Sequence, residues 1–159
     1  MKCGIISIGN ELLIGQVINT NAAWMAEQLN LAGYHVDRIL VIADDGDQIF
    51  SALEEALGRF EFVLVTGGLG PTRDDITKDV VCRFFGTRLV FNEDAFNDIE
   101  KIFGKRGLIV TDMNRKQAEL PENCISVPNI NGTARGIDHD TRRLLPDGAG
   151  SPDAACRLS

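Results

Sequence analysis

The sequence predicts an α/β protein in which helices cover both faces of a parallel sheet. Apolar runs at 3–8, 36–42 and 62–65 are typical of short buried strands. Stretches with apolar residues at helical spacing separate these runs, and loops rich in glycine and acidic residues follow them. With 159 residues, the chain has the length of one domain with a substantial core.

The N-terminal half alternates regularly between strand and helix. After the first strand, a polar loop at 9–15 leads to apolar residues that recur at helical spacing between 22 and 32. Thr20 or Asn21 can cap this helix, and Gly33 can end it. The elements that follow are a strand at 36–42, an acidic turn at 44–47, a helix at 49–57 and a strand at 62–65.

The C-terminal half continues this pattern and then loses it. The predicted elements are a helix at 76–85, a strand at 88–91, a helix at 95–103, a shorter helix at 114–120 and a strand at 125–127. Beyond Gly136 no periodicity survives, and Pro, Gly, Asp and Ser become frequent. The sequence therefore predicts a domain at 1–137 and a flexible tail at 138–159.

Charge and composition exclude several classes of function. The net charge of −7 provides no basic surface for nucleic acid. No apolar run is long enough to span a bilayer, and the N-terminus becomes polar too early for a signal peptide. With two histidines and no Cys-x-x-Cys pair, the chain is also a poor candidate for a zinc site. We therefore expect a cytoplasmic protein that contacts neither membrane nor nucleic acid.

A glycine loop follows the third strand, in the sequence Thr-Gly-Gly-Leu-Gly-Pro-Thr-Arg-Asp-Asp-Ile-Thr at 66–77. Its glycines would let backbone N–H groups converge on a phosphate at a helix N-terminus. Asp74 and Asp75 would repel that phosphate unless a cation lies between them. The loop therefore indicates metal-assisted phosphate chemistry. Because Thr72 and Asp75 also have capping-box spacing, a purely structural role stays open.

Loops after the other strands should meet the glycine loop, since ligands bind at the carboxyl ends of parallel strands. The first loop offers Glu11 as a metal ligand or general base, with Asn10, Thr20 and Asn21 as substrate contacts or helix caps. The second offers acidic residues, most of which we expect to cap or face solvent. Carboxylates from three loops at one edge would suit Mg²⁺.

Three motifs carry a family resemblance. They are Gly-Asn-Glu-Leu-Leu at 9–13 with Gly15, Thr20 and Asn21, the glycine loop at 66–77, and Asn-Ile-Asn-Gly-Thr-Ala at 129–134. Together they resemble the N-terminal domain of the CinA family, the competence and damage-inducible proteins, over about residues 3–136. That domain is similar to the molybdopterin-binding, MoaB/MogA-like domains, and the Gly-Pro-Thr-x-Asp-Asp part of the loop is specific.

The resemblance implies a three-layer α/β/α domain with a mostly parallel sheet. In the CinA branch it implies a metal-dependent pyrophosphatase acting on ADP-ribose-like dinucleotides, in which Asp44 and Asp75 match essential aspartates and Asp45 matches less well. In the molybdopterin branch it implies binding, and in some members adenylylation, of the pterin phosphate. Both branches use the glycine loop for phosphate.

The leading hypothesis from the sequence is a hydrolase with a divalent cation, Mg²⁺, Mn²⁺ or Co²⁺, with or without a monovalent cation. Asp44, Asp74 and Asp75 would hold the metal, while Asp44, Asp75 and Glu11 would act in catalysis. The alternatives are a molybdopterin-binding or adenylylating domain and a nonenzymatic oligomerisation module. Expected partners are a nucleotide diphosphate or pterin phosphate and a second copy of the chain. The residues expected to contact the ligand are Asn10, Thr20, Asn21, Gly67, Gly68, Gly70, Thr72, Asn131, Gly132 and Thr133.

Two departures from the CinA pattern qualify this hypothesis. The family usually has a nicotinamide-nucleotide amidase domain that this chain does not include, so we do not infer deamidase activity. Arg135 stands where the family has proline, and residues 144–148 do not form its Leu-Pro-Gly-Val-Pro loop. If that loop completes the site, we expect impaired activity.

Overall fold

The computed structural model describes residues 2–68, 76–129, 132–140 and 155–158. In these ranges no helix is both long enough and apolar enough to cross a membrane. The elements, in chain order, are β1 (Lys2–Ile8), α1 (Asn10–Leu13), α2 (Thr20–Leu31), β2 (His35–Ile42), α3 (Gly46–Leu57), β3 (Phe62–Gly67), α4 (Ile76–Phe84), β4 (Leu89–Phe91), α5 (Glu93–Lys105), α6 (Asp112–Lys116), β5 (Glu119–Pro121), β6 (Ile125–Val127), β7 (Gly136–Asp140) and β8 (Ala155–Leu158).

The described strands form a central sheet in the order β2-β1-β3-β8-β7-β6. Strands β2, β1, β3 and β8 are parallel, and β7 is antiparallel to both of its neighbours. A separate two-stranded antiparallel ladder joins β4 to β5. The mostly parallel sheet expected from the sequence is therefore confirmed.

Helices cover both faces of this sheet because successive strand residues point in opposite directions. In β1, Ile6 and Ile8 pack into the larger core cluster with apolar residues of α3, α4 and α5. Ile5 points to the other face, where it packs with Ala22 and Met25 of α2. The two clusters lie on opposite sides of one sheet, which gives the three-layer α/β/α arrangement.

The prediction of a single short helix at 114–120 is wrong in its second half. Helix α6 starts earlier, because the Thr111 side chain accepts a hydrogen bond from the Asn114 N–H and the Asn114 side chain accepts one from the Thr111 N–H, which completes a capping box. The helix ends at Lys116, and Leu120 then enters the core from β5. Helical spacing in the sequence continued past the point where pairing with β4 takes over.

The predicted tail at 138–159 is wrong for two segments, because β7 and β8 are strands of the central sheet. The boundary placed at 137 falls inside β7, where Ile137 and His139 are fully buried. Strand β8 lies between β3 and β7 and bonds to both, so ladder pairing holds it although its sequence has no clear periodicity. Residues 141–154 lie outside the described part of the chain.

Candidate functional site

The site predicted from the sequence lies at the carboxyl edge of the sheet. Strands β1, β2 and β3 end there at Ile8, Ile42 and Gly67, so the loops that follow them gather at one edge. The strand order places β2 and β3 on either side of β1. This part of the prediction is confirmed for the first two loops and for the start of the glycine loop.

Gly67 and Gly68 have left-handed backbones, with φ angles of 94° and 67°. A Cβ on Gly67 would collide with the carbonyl oxygen of Ile8, and a Cβ on Gly68 would collide with the Thr77 hydroxyl. Left-handed φ angles favour glycine, and here the neighbouring atoms exclude a side chain as well. The loop backbone is therefore held directly between the end of β1 and the start of α4.

Thr77 is a polar residue beside the glycine loop that the sequence analysis did not select. It lies in the first turn of α4, is fully buried, and its Oγ1 has no hydrogen-bond partner among the described residues. A buried hydroxyl without a partner costs about 1–3 kcal/mol. Its position as the last residue of the 66–77 motif was the signal that could have identified it.

Lys78 brings a positive charge beneath the start of α4. Although only 4% exposed, it donates hydrogen bonds from Nζ to the carbonyl oxygens of Gln117 and Glu119, at 3.1 and 3.0 Å. These contacts fix the first turn of α4 to the segment between α6 and β5. The first turn that carries Thr77 is therefore rigidly placed.

The first loop contains a short helix where the sequence predicted only a polar loop. Helix α1 begins at Asn10, whose Oδ1 accepts a hydrogen bond from the Asp44 N–H at 3.3 Å and so connects the first loop to the second. The Glu11 carbonyl then accepts hydrogen bonds from the N–H groups of Gln16 and Val17, at 2.9 and 3.3 Å. The chain consequently turns back over the ends of β1 and β3.

This turn borders an open cleft with a volume of about 130 Å³. Strands β1 and β3 form its floor, α1 and the start of α2 form its walls, and it brings together four of the predicted residues, Glu11, Thr20, Asn21 and Gly67. The full lining is Ile8, Glu11, Leu12, Val17, Ile18, Asn19, Thr20, Asn21, Thr66 and Gly67.

The cap of α2 is Asn19, which corrects the prediction that Thr20 or Asn21 serves this role. Asn19 Oδ1 accepts a hydrogen bond from the Ala22 N–H at 3.2 Å, and Nδ2 donates to the buried Ser7 Oγ at 3.0 Å. Asn19 is favoured because one side chain satisfies both the helix end and a buried hydroxyl of β1. Thr20 and Asn21 are exposed in the first turn and face the cleft instead.

The acidic residues after β2 have different roles. Asp45 caps α3, because its Oδ1 accepts a hydrogen bond from the Gln48 N–H at 3.1 Å. Asp44 is half-buried beside Asn10 at the site edge.

Within the described ranges, no three His, Cys, Asp or Glu residues group closely enough to hold a metal ion. Gly70, Thr72, Asp74 and Asp75 lie outside these ranges, so the metal site stays a prediction and no chemical step is derived through it.

We expect Asp45→Ala to lower the free energy of unfolding by about 1 kcal/mol, the usual effect of losing an N-cap side chain. Asp47→Ala is the matched control, since it removes the same charge from the same helix turn while its side chain is 97% exposed. Urea unfolding followed by circular dichroism measures both. Equal losses in the two variants would contradict the capping role.

The third predicted motif lies on the same edge but farther along the sheet. Because β7 is antiparallel to both neighbours, β6 and β3 end on the same side, and three strand spacings of roughly 4.8 Å put β6 about 14 Å from β3. Gly132 and Thr133 follow β6, so the strands that carry the two predicted loops are not neighbours. Asn131 lies outside the described residues.

Arg135 fixes this third loop to the body of the domain. Its guanidinium pairs with the Asp98 carboxylate of α5, with Nε 2.9 Å from Oδ2, and Nη1 donates to Ser126 Oγ at 3.2 Å. The loop itself is closed by a hydrogen bond from Asn129 Nδ2 to the Ala134 carbonyl at 3.0 Å. Arg135 is thus a structural anchor of this loop.

Comparisons with known proteins agree with this architecture. Residues 4–151 match a family model described as a probable molybdopterin binding domain. A crystal structure of tungsten cofactor synthesizing protein MoaB from Pyrococcus furiosus shares the fold, with a TM-score of 0.60 and 16% identity over 99% of this chain and 79% of that one. The chain is therefore a MoaB/Mog-like domain.

Relatives of higher identity define the family more narrowly. The crystal structure of the protein CinA with unknown function from Thermoplasma acidophilum has a TM-score of 0.79 and 34% identity, covering 99% of this chain and 86% of that one. A CinA-like protein of Chloroherpeton thalassium is 45% identical over 137 residues, which are 86% of this chain and 33% of that protein. A protein of Pyrobaculum calidifontis is 44% identical over 137 residues, which are 86% of this chain and 52% of that protein. This chain belongs to the CinA family, and it spans about a third to a half of the length of these two relatives.

Proposed function

We propose that this domain binds a phosphorylated pterin of the molybdopterin type, with the phosphate held at the carboxyl end of β3. The observation that carries the proposal is the packing of Gly67 and Gly68 against the Ile8 carbonyl and the Thr77 hydroxyl. This packing holds the backbone at the end of β3 directly against the first turn of α4, where Thr77 offers a buried hydroxyl that has no partner among the described residues.

The charge environment at the start of α4 supports an anionic ligand. The N-terminus of a helix carries partial positive charge and favours anions. Lys78 adds a full positive charge in the same turn, although its Nζ also donates to two carbonyl groups. A phosphate oxygen is a hydrogen-bond acceptor and would satisfy the Thr77 hydroxyl, whereas a cation would not accept its proton.

The family favours binding over the hydrolysis that the sequence first suggested. The matching family model describes a molybdopterin binding domain, and the fold is shared with a cofactor-synthesizing MoaB protein. The hydrolase hypothesis depends on Asp44, Asp74 and Asp75 as metal ligands, and of these three only Asp44 lies among the described residues. We therefore place the binding function first and keep the metal-dependent pyrophosphatase as an alternative.

Titration calorimetry with molybdopterin under anaerobic conditions tests the proposal. We expect wild-type protein to bind, and Gly68→Ala to weaken binding at least tenfold, because the added methyl group displaces the Thr77 hydroxyl. Gly86→Ala is the matched control: its φ of 62° imposes similar backbone strain, but no atom lies within 4 Å of the new methyl group. Wild-type affinity in the Gly68 variant would contradict the assignment.

The same preparation separates the alternative. Incubation with ADP-ribose and Mg²⁺, Mn²⁺ or Co²⁺ would release AMP and ribose phosphate if the hydrolase hypothesis holds. Under the binding proposal we expect molybdopterin to bind without such turnover. Turnover with any of these metals, in the absence of molybdopterin binding, would reverse our order of preference.

A further inference from the structure

We propose that an apolar surface at the start of α2 joins two copies of this chain in a two-fold symmetric dimer. This surface, the 13–24 patch, consists of five exposed side chains: Leu13, Ile14, Val17, Ile18 and Trp24. Such a dimer would form whichever ligand the domain binds, so it is independent of the proposed function.

The side chains of the 13–24 patch are strongly exposed for apolar residues. Ile14 is 75% exposed, Ile18 82% and Trp24 63%. Large side chains carry roughly 150–250 Å² of surface each, so the exposed fractions of the five residues correspond to roughly 600 Å² per chain. This area is at the upper end of the range for the largest apolar patch on a typical monomer, about 300–600 Å². A patch of this size is characteristic of an interaction surface.

The fold brings the residues of the patch into one region of the surface. The Val17 N–H donates to the Glu11 carbonyl at 3.3 Å, which turns the loop back onto α1. Ile18 and Thr20 line the same cleft, so the loop lies next to the first turn of α2. Trp24 follows Thr20 by four residues, and residues four apart lie on the same face of a helix. The patch therefore continues from the loop onto α2.

Backbone hydrogen bonds also order the patch before any partner binds. The Ile14 N–H donates to the Asn10 carbonyl at 3.1 Å, and the Thr20 N–H donates to the Ile18 carbonyl at 2.8 Å. Ordering a loop during association costs conformational entropy, and a loop that is already ordered avoids much of that cost. The patch is thus suited to binding as it stands.

Charge favours a second copy of the chain as the partner. The sequence has 25% charged residues and a net charge of −7, yet no charged residue occurs at positions 12–26. Two copies of an acidic chain repel each other, and the repulsion is weakest where both present an uncharged surface. In a two-fold symmetric contact the same patch meets itself, so a charge within it would lie near its own copy. An apolar patch without charge avoids this repulsion.

The area of the patch is sufficient for a dimer. Two patches of roughly 600 Å² would bury about 1,200 Å² in total, which is the lower end of the range for specific, stable interfaces. Val17 and Ile18 belong to the patch and also line the cleft, so the second copy would lie beside the cleft. We expect dissociation at roughly micromolar concentration, because interfaces at this end of the range are among the weaker ones.

Sedimentation equilibrium of wild type and Ile14→Asp tests the position of the interface. We expect wild-type protein to dimerise and Ile14→Asp to weaken dimerisation at least about thirtyfold, because each copy would bring a carboxylate into the apolar contact. Ile14 does not line the cleft, so the ligand site is not changed directly. Ile109→Asp is the matched control: it introduces the same charge at an isoleucine that is 87% exposed between α5 and α6, and it should keep the wild-type dissociation constant. Circular dichroism of both variants checks that the fold is retained.

Trp24 gives a second measurement, because it is the only tryptophan in the chain and belongs to the patch. Acrylamide should quench its fluorescence less in the wild-type dimer than in the Ile14→Asp monomer, since the second copy would cover the indole. Wild-type protein that stays monomeric up to about 100 µM, well above the expected dissociation constant, would overturn the proposal. A dimer that Ile14→Asp and Ile109→Asp weaken equally, or in which Trp24 is quenched as strongly as in the monomer, would also overturn it, because the copies would then meet at another surface.

Discussion

Replacing Gly67 by alanine is expected to lower the free energy of unfolding by about 4 kcal/mol, at the upper end of single-substitution effects. Gly67 has a φ of 94°, which costs a side chain about 1–2 kcal/mol by itself. The new methyl group would also collide with the Ile8 carbonyl. That carbonyl cannot move freely, because β1 pairs with β2 and β3 on either side and the Gly9 N–H donates to the Ile42 carbonyl at 3.1 Å.

Gly15→Ala separates collision from backbone strain. Gly15 has a φ of 72°, but no atom lies within 4 Å of the position of its added methyl group. We expect this control to lose only about 1 kcal/mol. Equilibrium urea unfolding gives the loss of free energy for both variants. If Gly15→Ala is expressed in soluble form and Gly67→Ala is not, that result would also support the collision at Gly67. If the two variants lost equal stability, the close approach of β3 to Ile8 would be refuted.

Stability is also expected to fall by roughly 3 kcal/mol as the pH drops from about 6.5 to about 4, because of His139. His139 is fully buried, stacks on Phe85 with ring centroids 4.3 Å apart, and neither ring nitrogen has a partner among the described residues. Burial lowers the pKa of the imidazole to about 4, and nearby Asp138 raises it only in part. Because the folded-state pKa lies below the unfolded value, protons bind preferentially to the unfolded chain, and stability is lost as the pH falls.

His139→Phe should remove this part of the pH dependence, since phenylalanine keeps the stacked ring and does not titrate. The quantity to compare is the loss of unfolding free energy between pH 7 and pH 4.5, measured by urea titration in variant and wild type. The carboxylates titrate in both proteins, so their contribution cancels when the loss in the variant is subtracted from the loss in the wild type. His35→Gln, which changes the exposed histidine of β2, should retain the wild-type slope. An unchanged slope in His139→Phe would show that the pKa of His139 does not differ between the folded and unfolded chains, which would contradict the expected shift.

Much of the site was predictable because glycine and apolar patterning act locally. The apolar runs of the first three strands located the sheet, and the strand, glycine and helix order located the edge where Gly67 lies. The capping partners were less predictable. Asn19, Thr20 and Asn21 have similar capping preferences, and Asn19 serves because it alone bonds to Ser7 on β1.

The sequence by itself determined the layered α/β fold, the family and the edge of the sheet at which a ligand would bind, since these follow from periodicity and from a specific motif. Only the tertiary structure decided which polar residues meet there. It showed that Thr77 has a buried hydroxyl beside Gly68, that Asp45 caps α3, and that His139 lies in the core. The assignments of Thr77 and His139 depend on contacts with residues that are not neighbours in the chain, and strand β8 enters the sheet for the same reason, through pairing that no local pattern encodes.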